Sequence, residues 1–545
     1  MRAIRTLAAA AASLSLLAAA GCGSTPAAGE KAAAEGAPVA GGTFNYAIDS
    51  EPSCLDPHVS LADATAFITR GVVDSLVVQD ADGSFKPWLA KSWKVSDDLK
   101  TYTFDLRTDV TFHDGTKFDA AAVKANFDRI VAKETKSQYA STLIGPYAGT
   151  TVVDEHTAEV RFSAPFQPFL QAASTAYLGI QSPKAFTDYA GALCEHVVGS
   201  GPFVFTSHTR QQNVTLTRSA TYPSAPPNAK HTGPAHLDKV VIRFLSESAT
   251  RLGTLTSGEV QGISAVPVPN VAAVQANTAL QLIRTDAQGA VYTLYPNTSR
   301  APFDDEKVRK AFQQALDVDT LVKSVYFGQY KRAWGVLSPN TKYYEPAVEQ
   351  KTKYDEAAAN TLLDEAGWTA RDADGYRTKN GKRLAVVWPY TQQQAAVQQR
   401  GTFAQAVQAA EKKIGIEVVR TSVQTAELFG LVAKAQYDIF DESWTRADPD
   451  LLRIFFASTS KPLTGQNISW VNDATVDGWV NGAAATADDA KRKDAYSRTQ
   501  LWVQEHAAAF PVYVPAYLLA ASTKVHGLRS DPASFPLLYD AWLTK

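Results

Sequence analysis

Residues 89–130, LAKSWKVSDDLKTYTFDLRTDVTFHDGTKFDAAAVKANFDRI, carry the densest structural information in this chain. Within them TYTFDL (101–106) puts Tyr102, Phe104 and Leu106 on one side of an extended backbone and Thr101, Thr103 and Asp105 on the other, because successive side chains of a strand face opposite ways. A strand with one buried face is expected. Val110 and Phe112 resume the apolar pattern and Asp114-Gly115 supplies a turn, so a second strand is expected to pair with the first. Asp119 then offers a carboxylate to the free N–H groups of a helix whose inward stripe is Ala122, Val123, Asn126, Phe127 and Ile130. The local order reads strand, turn, strand, helix.

Moving outward, TFNYAI (43–48) alternates in the same way, and PFVF (202–205), NVTLT (213–217) and KVVIRF (239–244) read as further strands between Pro and Gly clusters. The first half is a sheet-rich lobe. Beyond residue 300 helices become prominent. DDEKVRKAFQQALD (304–317) carries a stripe of Val308, Ala311, Phe312, Ala315 and Leu316 with Asp304 or Asp305 as cap, and DEAAANTLLDEAGW (355–368) repeats the logic from Asp355 to a stop at Gly367. AVVWPY (385–390) and IEVVRT (416–421) alternate with these helices as strands, so the second half reads as a separate α/β lobe.

Length supports that division, since 545 residues exceed what one hydrophobic core serves. Hydrophobic residues make up 45% and charged residues 20%, the balance of a soluble globular body. The formal net charge of -2 gives no electrostatic reason to expect nucleic acid as a partner. At the N-terminus, Arg2 and Arg5 precede an apolar run that ends in LSLLAAAGC (14–22), the pattern of a secretory signal peptide over 1–21. Small residues before Cys22 make it the expected site of lipidation, although Ala19 stands where Leu is usual; the alternative is a plain signal cut elsewhere. Residues 22–42 are then a lipidated cysteine and a flexible tether, small and polar without an aromatic. Cys54 and Cys194 remain as an even pair in an oxidising compartment, where a disulfide is expected and two unpaired buried thiols are the alternative.

Several blocks in register are similar to one family. GTFNYAIDSEPSCLDPH (42–58), with its Leu55-Asp56-Pro57 turn, the 89–130 stretch with its His113-Asp114-Gly115 turn, VGSGPFVF (198–205), LGTLTSGEVQGI (252–263), NTSRAPFDDEKVRKAFQQALDVDTLV (297–322), YDEAAANTLLDEAGW (354–368) and YDIFDESWTRADPD (437–450) together resemble the family 5 extracellular solute-binding proteins of ABC importers. This is the peptide and nickel-complex receptor class. The resemblance implies an α/β, two-lobed periplasmic-binding-protein fold of the large peptide-receptor type, with mixed sheets and an interlobe ligand cleft. Lobe I would comprise 43–285 plus 512–545, with an extra subdomain at about 60–192, and lobe II 286–511. It further implies a monomer anchored outside the cell membrane by lipid, which captures a small solute, a peptide first, and delivers it to ABC permease subunits without a cofactor. A nickel or metallophore complex, or an oligosaccharide, is the alternative cargo on the same fold, and a secreted lipoprotein hydrolase the alternative class.

The resemblance places the ligand-binding candidates. Trp444-Thr445-Arg446-Ala447-Asp448-Pro449-Asp450 aligns with the region where peptide-binding members hold the ligand's α-amino group with a carboxylate, a role assigned to Asp448 with Asp450 as its alternative. A helix cap or turn is the structural reading of the same run. Trp444 offers an aromatic face or closes a core; Arg446 pairs with Asp448 at the surface or with a ligand carboxylate. Tyr46 and Glu51 follow the first strand toward the cleft, and Ser200 lies in a Gly-Ser-Gly turn that either presents N–H groups or packs tightly. Catalytic signals are poor: the nine histidines are scattered, and no His-Glu-x-x-His, Gly-x-Ser-x-Gly or Gly-x-x-x-x-Gly-Lys occurs. His113 reads as structural, and no resident metal is expected, though His58, His196 and His208 would be the ligands if three were to meet. Trp444, Trp470 and Trp479 are the aromatic surfaces a sugar would use.

Overall fold

The strand Thr43–Ile48 lies inside a seven-stranded mixed sheet whose spatial order is Leu280–Asp286, Ala516–Ser522, Gly262–Ile263, Thr43–Ile48, Lys239–Phe244, Asn213–Arg218, Phe203–Thr209. It pairs in parallel with Lys239–Phe244, Tyr46 opposite Ile242, and with Gly262–Ile263; the remaining pairs are antiparallel. The computed structural model describes residues 37–462 and 465–544. Cys22, the expected signal peptide and the tether to residue 36 lie outside the described residues. From Pro38 the chain forms one compact unit.

A second sheet, ordered Lys331–Arg332, Phe510–Val514, Gly289–Pro296, Ile439–Thr445, belongs to the other half of the chain. Beside it the strands Ala385–Tyr390 and Glu417–Ser422 pair in parallel. The chain leaves the first sheet at Asp286 and enters the second at Gly289, then returns from Val514 to Ala516. These two crossings touch: the Ala287 N–H donates to the Pro515 carbonyl at 2.8 Å. Two short, adjacent connections therefore join the two sheets.

The 89–130 stretch builds a third sheet, antiparallel, in the order Ala90–Val95, Thr101–Leu106, Thr157–Phe162, Tyr147–Asp154. Tyr102, Phe104 and Leu106 are buried and Asp105 is exposed, as the alternation requires. The expected partner strand at 110–112 does not form. Thr157–Phe162 and Ala90–Val95 flank Thr101–Leu106 instead, because TAEVRF presents the same alternation over a full six residues whereas Val110 and Phe112 span three. Phe112 closes the Asp114-Gly115 turn by donating its N–H to the Thr116 carbonyl. The helix Ala120–Val131 begins where expected, with the Asp119 carboxylate accepting from the Ala122 N–H at 2.8 Å. Asp305 and Asp355 cap Glu306–Gln314 and Glu356–Glu365 in the same way.

Candidate functional site

A cavity of about 630 Å3 opens where the two crossings, the third sheet's subdomain and the C-terminal segment meet. Its size lies within the range of about 300–1,000 Å3 usual for small-ligand sites. The side of the seven-stranded sheet supplies Phe67 and Arg70 from the helix Asp63–Arg70, Trp88, Tyr222 and residues 529–539; the subdomain supplies Tyr139, Gln171 and Tyr177. Asp286 and Gln288 line it at the first crossing. The second sheet contributes the end of Ile439–Thr445 and the two residues that follow, Arg446 and Ala447. The lining is thus drawn from both sides of the two crossings.

Charges in the lining are mostly committed. Arg70 packs its guanidinium over the Trp88 ring, 5.1 Å from the centroid, and donates to Ser75 Oγ and the Ser174 carbonyl. Burial holds its pKa below the usual arginine value. Asp531 accepts from the Phe535 N–H at 2.9 Å, and desolvation pushes its carboxyl up to about 6. Arg529 is bonded to Asp540 Oδ2 at 2.9 Å. Arg446 differs: its side chain is 2% exposed, Nε donates to Gln171 Oε1 at 2.9 Å, and neither terminal nitrogen has a hydrogen-bond acceptor among the described residues.

Arg446 is the expected site residue that the cavity reaches. A surface salt bridge with Asp448 is not formed, because Arg446 is buried and its nearest carboxylate is Asp450, 3.9 Å away. Asp448 and Asp450 stand outside the lining. Asp448 Oδ1 accepts from the Asp450 N–H at 2.8 Å and lies 3.7 Å from Arg492, while Asp450 is fully buried and takes two bonds from Arg453 at 2.9 and 2.7 Å. Both carboxylates serve the turn that opens the helix Leu451–Phe456. Trp444 packs its ring 4.7 Å from Tyr139 and 6.3 Å from Phe455, backing the cavity wall without lining it.

The candidates near the first strand also sit behind the wall. Tyr46 is 1% exposed and packs on Phe67 at 5.4 Å, and burial raises its phenol. Glu51 accepts from His208, which bridges to Glu195. Ser200 donates to Asp74 Oδ2 at 3.0 Å. The glycines beside it are there for close packing: a Cβ on Gly199 would stand 2.1 Å from the Val72 carbonyl oxygen. His113 donates its N–H to the Gly199 carbonyl and its Nε2 meets the Gly201 carbonyl at 3.0 Å, a structural role. Cys54 and Cys194 are joined as a disulfide, with Cα atoms 4.2 Å apart.

His58, His196 and His208 do not come together. His58 bonds Gly179 and Arg129, His196 stacks on Tyr189, and His208 lies between two glutamates. Among the described residues no group of three metal-ligating side chains forms, and no helix is long and apolar enough to cross a membrane. Sequence reasoning missed Arg70, Gln171, Tyr177, Tyr222 and the 529–539 wall; their convergence depends on long-range packing and leaves no local motif.

A sequence model of the bacterial extracellular solute-binding proteins, family 5 (middle region), matches residues 84–462. The chain belongs to that family. The probable D,D-dipeptide-binding periplasmic protein DdpA of Escherichia coli K12 is 27% identical over 496 residues, 89% of this chain and 90% of that protein. The glutathione-binding protein GsiB of Salmonella typhimurium is 29% identical over 495 residues, 89% and 91% of the two chains. Among solved structures, the ABC transporter-associated periplasmic binding protein DppA from Helicobacter pylori, in complex with the peptide STSA, matches with a TM-score of 0.79 at 23% identity, covering 93% of this chain and 99% of that one. The binding protein AgaA from A. tumefaciens R10, in complex with agropinic acid, matches with a TM-score of 0.78 at 24% identity over 92% and 99%. Those likenesses show the two-lobed fold of this solute-binding protein.

Proposed function

We propose that this chain is the extracytoplasmic substrate-binding component of an ABC importer. It captures a small solute, a peptide or a compound of similar size, between two lobes and hands it unaltered to permease subunits. The observation that carries this reading is the cavity of about 630 Å3 at two adjacent interlobe crossings, lined from both sheets. Binding there favours closure, because a ligand touching both lobes has more contacts when they approach. The names of similar proteins support it, being those of dipeptide, glutathione and peptide binders. In this reading lobe I is built from about 43–286 and 516–544 and lobe II from about 289–514, with Ala287–Gln288 and Pro515 as the hinge. Cys22 carries the lipid that holds the monomer to the membrane.

The test is native mass spectrometry of protein purified from cells grown in a casein-hydrolysate medium, followed by small-angle scattering before and after the co-purified solute is removed. A noncovalent organic mass and a radius of gyration that grows on its removal are expected. A profile unchanged by stripping, or a solute returned chemically altered, sinks the proposal.

A further inference from the structure

The buried guanidinium of Arg446, whose two terminal nitrogens lack a hydrogen-bond acceptor among the described residues, is an unusual feature of this cavity. An arginine carries five N–H donors in a planar fork and stays charged. Here one donor is used on Gln171, and the two terminal nitrogens are buried without an acceptor among the described residues. Asp450 does not complete it: at 3.9 Å it is beyond hydrogen-bond reach, and both its oxygens are taken by Arg453. Buried donors in folded proteins are nearly always paired, so two charged terminal N–H groups without an acceptor, on a residue that lines a ligand-sized cavity, mark a missing one.

Resting on the solute-binding reading above, we propose that the captured solute presents a carboxylate to Arg446, which grips it with its two terminal nitrogens and so draws lobe II onto the ligand. Fork geometry matches a planar carboxylate with two parallel, charge-assisted bonds, the strongest class of side-chain hydrogen bond. A cation at this position repels an ammonium, which reverses the polarity that an acidic anchor in the 444–450 segment would have imposed. Arg446 is also the charged side chain by which the second sheet reaches the lining; its neighbours there are Thr445 and Ala447. The other lining arginines, Arg70 and Arg529, belong to the first lobe and are already hydrogen-bonded. The ligand class is therefore a short peptide or other small organic acid oriented with its carboxylate toward lobe II.

The test uses the mature protein, stripped of solute, and titration calorimetry with D-alanyl-D-alanine, glutathione, a mixed dipeptide library and a set of sugar acids, each acid against its carboxamide, with inorganic phosphate as a separate probe. Wild type is expected to bind at least one acid ten-fold or more tightly than its carboxamide. In Arg446→Gln that acid is expected to weaken at least thirty-fold and the discrimination to vanish, with Arg446→Lys intermediate. Equal affinity for acid and carboxamide in wild type, or unchanged affinity in Arg446→Gln, overturns the carboxylate assignment and leaves the solute-binding reading standing. Binding of phosphate but of no carboxylate overturns it too. A protein that binds no member of the panel and does not compact in scattering overturns both. Should Arg446→Gln fail to fold by circular dichroism, the acid and carboxamide comparison in wild type decides alone.

Discussion

Asp74 has no exposed surface and accepts hydrogen bonds from Ser200, Tyr222 and Ser224 at 2.8–3.0 Å. Burial outweighs those three donors and pushes its carboxyl up to about 6. An unfolded aspartate titrates near 4, so between about pH 4 and 6 the folded protein binds the extra proton and stability falls as pH rises through that window. The size is of order 3 kcal/mol, two pKa units at about 1.4 kcal/mol each. Replacing Asp74 by Asn removes the titration. Urea denaturation at pH 4, 5, 6 and 7 is expected to show wild type losing stability relative to Asp74→Asn across this range; parallel curves would refute the assignment. Because Tyr222 joins Asp74 to the cavity wall and Ser200 joins it to the Gly-Ser-Gly turn, this one buried acid couples that turn to the site.

At the scale of elements, the disulfide ties the loop after the first strand to the segment before the Gly-Ser-Gly turn. It spans 140 residues of sequence. Closing so long a loop in the unfolded chain removes considerable entropy, and loss of such a bond destabilises a protein by about 2–4 kcal/mol. The double substitution Cys54→Ala, Cys194→Ala is expected to lower the melting temperature by calorimetry while leaving solute affinity within about two-fold, since neither residue lines the cavity. A large loss of affinity with unchanged melting would contradict this. The strand Thr101–Leu106 shows how an element finds its partner. Its alternating face was readable, but Thr157–Phe162 lies more than fifty residues away, and the nearer Val110 and Phe112 were too few to compete.

For the whole molecule, polar contacts join the two halves of the chain beside apolar packing such as that of Trp444 on Tyr139. Gln171 accepts from Arg446, the Gln167 N–H donates to the Ala484 carbonyl at 2.9 Å, and Tyr517 Oη lies 3.0 Å from Thr445 Oγ1 and 3.1 Å from Asp63 Oδ2. A hydrogen bond contributes about 1 kcal/mol net, so each bridge moves the balance of open and closed forms by about five-fold without anchoring it. Tyr517→Phe is accordingly expected to weaken solute binding by about three- to ten-fold. Most of the loss should appear as faster dissociation in stopped-flow fluorescence; an unchanged dissociation rate would show that the Tyr517 hydroxyl does not help hold the lobes together.

Local alternation and capping already determined much of this protein. The strands at 43–48, 101–106, 213–217 and 239–244, the helices begun by Asp119, Asp305 and Asp355, and the family blocks that imply two lobes are all short-range patterns, legible because side-chain periodicity and cap chemistry act within a few residues. The site was legible only in part. The 444–450 segment was located, yet which of its charges lines the cavity depended on packing: the turn and Arg453 take Asp450, Asp448 bonds its own backbone neighbourhood, and Arg446 lies in the lining with its terminal nitrogens buried and without an acceptor among the described residues. Tertiary structure alone decided that, because a pocket is made of residues that share no stretch of sequence, here Phe67, Gln171, Tyr222, Arg446 and Asp531, and the free energy of desolvating a charge is settled by everything packed around it rather than by its neighbours in the chain.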